Sequence, residues 1–343
     1  MSQPAASPDP LIEIDDLKTH FFTDEGVVKA LDGVSFSIPR GKTLCVVGES
    51  GCGKSVTGRS ILKIVDRPGR IVSGRILYHP SPDETIDITG LRAMSRGMRA
   101  IRGGEIGMIF QEPMTSLGPV TTIGKQIAET IQIHKGVSKA EARNQAIEWL
   151  RRVGIPRPET RFDAYPFELS GGMRQRAMIA LGLCCSPKLL IADEPTTALD
   201  VTTQAVILDL IAELQAELGM AVMFITHDLG VVAQIADEVV VMYLGRVAER
   251  ADVETIFRSP RHPYTRALMR SIPRLGGSRE PLESIRGMVP NPFRRPAGCN
   301  FNPRCPDCIP GVCTVIDPVA RRFDDGSEVR CVLYSSDEKE LAK

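Results

Sequence analysis

Gly48-Glu49-Ser50-Gly51-Cys52-Gly53-Lys54-Ser55 puts three glycines, a lysine and a terminal hydroxyl within eight residues. Glycines let successive backbone N–H groups converge on one anion. A helix starting at Lys54 would point its positive end at the same charge. Lys54 would then reach the outer phosphates of a nucleoside triphosphate, and the Ser55 hydroxyl would ligate Mg²⁺. The pattern fits the phosphate-cradling loop G-x-x-x-x-G-K-S. Its flanks fit too. The apolar run Thr43-Leu44-Cys45-Val46-Val47 reads as a buried strand, and Lys54 to about Ile64 reads as a helix.

A second run, Leu189-Leu190-Ile191-Ala192-Asp193-Glu194-Pro195, ends an apolar strand in two carboxylates. Asp193 would hold Mg²⁺ through water, and Glu194 would face an attacking water. A glutamate of ordinary pKa, about 4.3, is a weak base near neutral pH. The task of Glu194 is therefore to orient the water and accept its proton late.

Around these residues the elements alternate. Leu11–Ile14, Val34–Ile38, Glu105–Phe110, Lys188–Ala192 and Ala221–Ile225 read as strands. Thr121–Val153 carries helix-spaced apolar residues, a further helix opens at Ser170 and runs to about Cys184, and Thr203–Leu218 is another. Strand–helix–strand alternation predicts an α/β fold with a parallel sheet covered by helices. The helical stretch over about 115–185 interrupts that alternation and reads as an insertion. Prolines 260, 263, 273, 281, 290, 292 and 296 mark a loop-rich C-terminal region.

Composition narrows the function classes. The 42 basic and 42 acidic residues balance, which argues against a broad nucleic-acid footprint. No run of about 18 apolar residues is present, so no segment is expected to span a bilayer. Residues 1–10 lack the basic and apolar regions of a secretory signal and read as a loose tail. A cytoplasmic chain is expected, with any membrane role coming through a partner. Five of the nine cysteines fall between Cys299 and Cys331 in the pattern C-x5-C-x2-C-x4-C with Cys331 beyond. In a cytosolic chain such clustering favours metal or cluster binding over disulfides. Four thiolates suit either a [4Fe–4S] cluster or structural zinc.

Leu169-Ser170-Gly171-Gly172-Met173-Arg174-Gln175-Arg176, downstream of a phosphate loop, resembles the signature of ATP-binding cassette (ABC) ATPases. The resemblance covers residues 11 to about 250 and implies a P-loop cassette. Its fold would be a RecA-like parallel-sheet core with an antiparallel β subdomain and an inserted helical subdomain. It also implies that Ser170, Gly171 and Gly172 bind the ATP held by a second cassette. By the same resemblance His227 contacts the γ-phosphate and the water, and Gln111 touches Mg²⁺ and the water. Asp200 lies in the loop that crosses the dimer interface. Phe21 or Phe22 stacks on adenine, and the β-strand reading of both is equally open.

Three runs are similar to one branch of that family, the oligopeptide/dipeptide permease ATP-binding subunits. They are Phe110-Gln111-Glu112-Pro113-Met114-Thr115-Ser116-Leu117, Ser259 to Arg266, and Gly298-Cys299-Asn300-Phe301-Asn302-Pro303-Arg304-Cys305. Gly118 departs from the branch, which usually carries Asn there. The resemblance favours a [4Fe–4S] cluster over zinc, on Cys299, Cys305, Cys313 and Cys331, with Cys308 spare or replacing Cys313. It implies an ATP-hydrolysing subunit of a peptide importer on the cytoplasmic side of the inner membrane. The implied partners are a related ATPase subunit in a heterodimer, two permease subunits and an extracytoplasmic binding protein. Import of nickel or another small solute is the alternative, followed by a soluble ABC ATPase without a transport role. The expected domains are a tail at 1–10, a cassette at 11–255, a cysteine-bearing extension at 256–334 and a tail at 335–343.

Overall fold

The computed structural model describes residues 9–112, 116–197, 199–271 and 285–335. Most of both expected tails lies outside the described residues, as do Pro113, Met114, Thr115, Ala198, Pro273 and Pro281.

In chain order the strands are β1 (Pro10–Thr23), β2 (Gly26–Pro39), β3 (Thr43–Val47), β4 (Gly69–Ser81), β5 (Glu84–Asp87), β6 (Ile106–Ile109), β7 (Leu189–Asp193), β8 (Ala221–Ile225), β9 (Glu238–Tyr243) and β10 (Arg246–Asp252). Two short strands follow, β11 (Arg321–Arg322) and β12 (Glu328–Val329). The principal helices are α1 (Lys54–Ile61), α2 (Ile123–Lys135), α3 (Lys139–Arg152), α4 (Gly171–Leu183), α5 (Val201–Leu218), α6 (Leu229–Ile235), α7 (Val253–Arg258) and α8 (Pro263–Arg270). No helix among the described residues is long and apolar enough to cross a membrane.

The chain divides into two compact units. The first comprises Met1–Ile12, Ile38–Thr43 and Tyr78–Ile225. Its sheet joins β6, β7 and β8 in parallel, with Ile106 opposite Leu189 and Asp193 opposite Ile225. Both β7 and β8 are buried throughout, as expected for strands covered on two faces. At Gly107 the packing against α4 leaves no room for a side chain. A Cβ there would lie 2.1 Å from the Gly182 carbonyl oxygen.

The helical stretch expected over Thr121–Val153 is two helices. Gly136, at φ 65°, closes α2 in the left-handed region. Ser138 then opens α3 by accepting from the Glu141 N–H at 3.2 Å. Ile127, Ile131, Ala146 and Leu150 are fully or almost fully buried. Each such isoleucine or leucine contributes about 1.5–3 kcal/mol on transfer from water. Gly124 fits under Phe162, where a Cβ would come within 2.1 Å of the ring. Gly118, where the branch usually has Asn, is held on both sides by Gln126. Its N–H donates to Gln126 Oε1 at 2.8 Å, and its carbonyl accepts from Gln126 Nε2 at 3.0 Å.

The second unit comprises Glu13–Ser37, Leu44–Leu77 and Thr226–Lys343. It holds a sheet in the order β2–β1–β4. The two residues between β1 and β2 make that pair an antiparallel hairpin. The expected run Leu11–Ile14 is thus the start of a longer strand that includes Phe21 and Phe22. A second sheet pairs β3 with β9 in parallel, Leu44 opposite Glu238 and Val47 opposite Val241. β10 pairs antiparallel with β9 and with β12, so part of the loop-rich extension completes this sheet.

Candidate active site

The phosphate loop lies in the second unit, between β3 and α1. Gly48 has φ 146° and Gly53 has φ 103°, and both also pack tightly. A Cβ at Gly48 would come within 2.2 Å of the Met242 carbonyl oxygen. A Cβ at Gly53 would come within 2.6 Å of the Ala30 carbonyl oxygen. Gly51, at φ 77°, has nothing within 4 Å of its ideal Cβ, so backbone conformation alone requires glycine there. Lys54 is buried, and its Nζ donates to the carbonyls of Gly48 at 2.8 Å and Glu49 at 3.2 Å. Ser55 is half-buried in the first turn of α1. Ser50 is exposed on the loop, and Cys52 is buried with its thiol pushed up by burial.

Phe21 and Phe22 lie at the end of β1 in the same unit. A Cβ at Gly69 would come within 2.7 Å of the Phe21 ring. Phe22 is exposed, with the Arg70 guanidinium 4.2 Å from its ring centroid. His227 is exposed just past the end of β8 in the chain. Its neighbours are fixed: Thr226 N–H donates to Val46 O at 3.2 Å, and Asp228 caps α6 through the Gly230 N–H at 2.8 Å.

The carboxylates lie in the first unit. Asp193 ends β7 and is buried. Glu194 follows with φ 47°, an uncommon conformation for a residue with a side chain. Its N–H donates to Ile225 O at 2.9 Å, which ties it to the end of β8. Its Oε2 accepts from Gln111 Nε2 at 3.1 Å and from the Thr197 hydroxyl at 3.0 Å. Gln111 and Glu194, 83 residues apart, therefore meet directly.

The signature residues are in the same unit. Ser170 caps α4, accepting from the Met173 N–H at 3.4 Å, and Gly171 and Gly172 form the first turn. Ser170 and Gly171 are exposed, whereas Leu169 is buried. Gln175, one turn on, donates to the Pro195 carbonyl and so ties the signature helix to the segment after Glu194. Asp200 caps α5 through the Thr203 N–H at 3.0 Å.

Comparison with known proteins adds to this geometry. Residues 31–197 match the family described as ABC transporter, and residues 248–313 match the oligopeptide/dipeptide transporter C-terminal region. A probable peptide ABC transporter ATP-binding protein of Sinorhizobium fredii is 52% identical over 94% of this chain and 95% of its own. The oligopeptide transport ATP-binding protein AppD of Bacillus subtilis is 48% identical over 95% of this chain and 98% of its own. The dipeptide transport ATP-binding protein DppD of Escherichia coli is 44% identical over 94% and 96%. The chain belongs to the ATP-binding subunits of the oligopeptide/dipeptide ABC transporter family. Its fold agrees with a solved ABC cassette dimer in a post-hydrolysis state bound to ADP and Pi, at TM-score 0.62 and 26% identity. That match covers 71% of this chain and 98% of the other. The chain is an ABC ATPase.

The family's C-terminal region explains residues with no role in the sequence reading. Arg261 and His262 N–H groups donate to the two oxygens of the buried Glu249 carboxylate, at 2.7 and 2.9 Å. His262 is itself buried, and its Nδ1 accepts from the Tyr264 N–H at 3.0 Å to cap α8. Burial pulls its imidazole down to about 4. This histidine is a packed cap. Tyr264 and Arg304 both engage Glu49 of the phosphate loop. Sequence reasoning missed them because their partner lies more than 200 positions away.

The cysteines of this region are near one another. Burial, and then the neighbouring thiols, push Cys305 up to about 12 and Cys331 up to about 11, and raise Cys299. Cys299 feels Cys313, Cys305 feels Cys299 and Cys331, and Cys331 feels Cys299 and Cys313. Cys308 is raised by burial and by Cys313. As placed, no three His, Cys, Asp or Glu among the described residues form a group that could hold a metal ion. The donors are soft and neighbouring, but they are not in ligating positions.

Proposed function

We propose that this chain is the ATP-hydrolysing subunit of an importer for di- and oligopeptides. The observation that carries the reading is the oligopeptide/dipeptide C-terminal match at 248–313 on the same chain as an ABC cassette. Relatives named for peptide import extend that likeness over nearly the whole length. We assign 11–255 to the cassette, with about 115–185 as its helical subdomain, and 256–334 to the extension. The chain works as a peripheral subunit at the cytoplasmic face of the inner membrane.

In this reading Gly48 to Ser55 hold the ATP phosphates, and Phe21 or Phe22 stacks on the adenine. Ser55, Asp193 and Gln111 supply oxygen donors suited to Mg²⁺, which neutralises charge on the phosphate oxygens. Glu194 orients the attacking water and takes its proton, with Gln111 at its carboxylate and His227 at the γ-phosphate. Positioning and charge stabilisation carry such a reaction. Ser170, Gly171 and Gly172 bind the ATP of a second, related cassette, and Asp200 lies at that interface. Two permease subunits and an extracytoplasmic binding protein complete the machine.

The cysteine reading is finer. Cys299, Cys305, Cys313 and Cys331 hold a [4Fe–4S] cluster or a zinc ion, with Cys308 spare or replacing Cys313. Cys313 and Cys331 are buried and Cys299 and Cys305 half-buried, and a bound cation would favour their thiolate forms. Chain purified without oxygen should contain iron and sulfide, or one zinc, in stoichiometric amount. Chain free of both would remove the site.

The test of function is ATP hydrolysis by the chain assembled with its permease and cognate binding protein, with and without short peptides. Stimulation by peptides is expected. Basal hydrolysis with no peptide response would move the cargo to nickel or another small solute.

A further inference from the structure

The loop that holds ATP is gripped from the far end of the chain. Arg304 lies between Cys299 and Cys305, at the end of the short turn Asn302–Arg304. Its backbone is set by local bonds. Arg304 N–H donates to Phe301 O at 3.0 Å, and Asn302 Nδ2 donates to the carbonyls of Ala297 and Cys299, both at 2.8 Å. Its side chain is only 4% exposed, yet every guanidinium nitrogen has a partner. Nη1 and Nη2 meet the two oxygens of Glu49 at 2.6 and 2.9 Å. Nε donates to Arg286 O at 3.1 Å, and Nη1 also reaches the Tyr243 hydroxyl at 3.3 Å.

A second contact reaches the same residue through its backbone. Glu49 N–H donates to the hydroxyl of Tyr264 at 2.9 Å. Tyr264 is fully buried and packs on Tyr243 and Phe301, with ring centroids 4.7 and 5.3 Å away. Tyr243 and Phe301 meet edge to face at 5.2 Å. His262, whose own N–H donates to Glu249, caps the helix that carries Tyr264 by accepting from the Tyr264 N–H. Glu49 is thus held at its N–H and at both carboxylate oxygens, by groups 215 and 255 residues further along the chain.

A buried ion pair is weak evidence of stability, because desolvation offsets most of its attraction. A bidentate fork fixes geometry instead. Glu49 directly follows Gly48, whose positive φ suits glycine and whose carbonyl, like that of Glu49, accepts from Lys54. Holding Glu49 therefore holds the entry of the loop before any nucleotide arrives. A ligand that must order a loop loses affinity by the cost of ordering it.

We propose that Arg304 and Tyr264 are positioning residues for nucleotide binding, through which the cysteine-bearing extension pre-sets the phosphate loop at Glu49. The proposal rests on the reading that Gly48–Ser55 binds ATP. Both residues would act through Glu49, so the effect falls on affinity and KM and spares kcat at saturation.

The test measures Mg-ATP affinity of the full chain, and KM and kcat of the assembled transporter. Arg304→Met should weaken ATP about tenfold, the equivalent of about 1.4 kcal/mol, with kcat kept within about twofold. Arg304→Lys should recover only part, since an ammonium cannot make the fork. The double variant Glu49→Gln/Arg304→Met should be no weaker than the weaker single one. Glu49→Gln keeps the shape of the loop and carries the test if Arg304→Met does not fold. Unchanged affinity in both single variants, or additive losses in the double, would overturn the proposal. Lys54→Ala separates the two readings. If it abolishes binding while the Arg304 and Glu49 variants bind like wild type, only the latch fails. If it binds like wild type, the phosphate-loop reading fails as well.

Discussion

The phosphate loop and the signature segment both lead into helix N-termini, are both anion sites in the proposed function, and are held in different ways. The phosphate loop is packed from within its unit. Gly48 and Gly53 have carbonyls where a side chain would stand, Lys54 is buried, and Glu49 is gripped from residues 264 and 304. The start of the signature segment is capped locally, although Gln175 one turn on donates to the Pro195 carbonyl. Ser170 accepts from Met173 and Asp200 from Thr203, each three residues on. Gly171 has nothing within 4 Å of its ideal Cβ, and Ser170 is exposed. In the proposed function, the site that binds its own nucleotide is pre-organised by distant parts of the chain, whereas the surface that a second cassette would complete needs only its helix capped and its face open.

The contrast can be broken by substitution. The largest effect is expected from Glu194→Gln. Turnover should fall on the order of 10²- to 10³-fold while ATP binding persists, because water orientation is lost and the phosphate loop is untouched. Undiminished turnover would take Glu194 out of the reaction. Ser170→Arg comes next. The isolated chain should bind ATP within about twofold of wild type, since the proposed function assigns Ser170 to the nucleotide of a second cassette. ATP-dependent pairing and hydrolysis should drop more than about tenfold, as an arginine blocks an anion site built from one hydroxyl and two glycines. Ser170→Ala separates this from the lost cap, which costs about 1 kcal/mol. Collapse of ATP binding in the isolated Ser170→Arg chain would show that the signature serves its own nucleotide.

The smallest effect sharpens the buried side of the comparison. His262 titrates near 4 in the folded chain, against 6.5 for a free imidazole, because burial and the nearby Arg266 disfavour its charge. The unfolded chain therefore binds this proton first. The stability contributed by the neutral histidine is complete above pH 6.5 and is lost as pH falls toward 4. The loss is on the order of 3 kcal/mol at most. His262→Gln should flatten that part of the stability-versus-pH curve in denaturant titrations. Glu249, raised by burial, remains in both proteins and cancels in the difference. Parallel curves for the two proteins would contradict a neutral buried histidine.

Much of this was legible because phosphate chemistry is local. Gly48 to Ser55, the carboxylates Asp193 and Glu194, and the cap Ser170 each lie within a few residues of what positions them, so spacing alone exposes them. The parallel strands Thr43–Val47, Leu189–Asp193 and Ala221–Ile225 were legible as apolar runs buried on both faces. β4, β9 and β10 were missed. β9 is a plain apolar run with no motif beside it, and β4 mixes exposed and buried residues without strict alternation. The helix-spaced apolar residues over Thr121–Val153 did not reveal the break at Gly136 and Ser138 that divides the stretch into two helices.

The sequence by itself determined the family, and it carries the residue types and short spacings behind the proposed catalytic and cysteine sites. Only the tertiary structure decided what holds the loop. Arg304 in Asn-Pro-Arg-Cys and Tyr264 in His-Pro-Tyr carry no local sign of a nucleotide role. Their meaning comes from a buried fork and a buried hydroxyl that meet Glu49 across more than 200 residues, and burial of that kind exists only once the chain has packed.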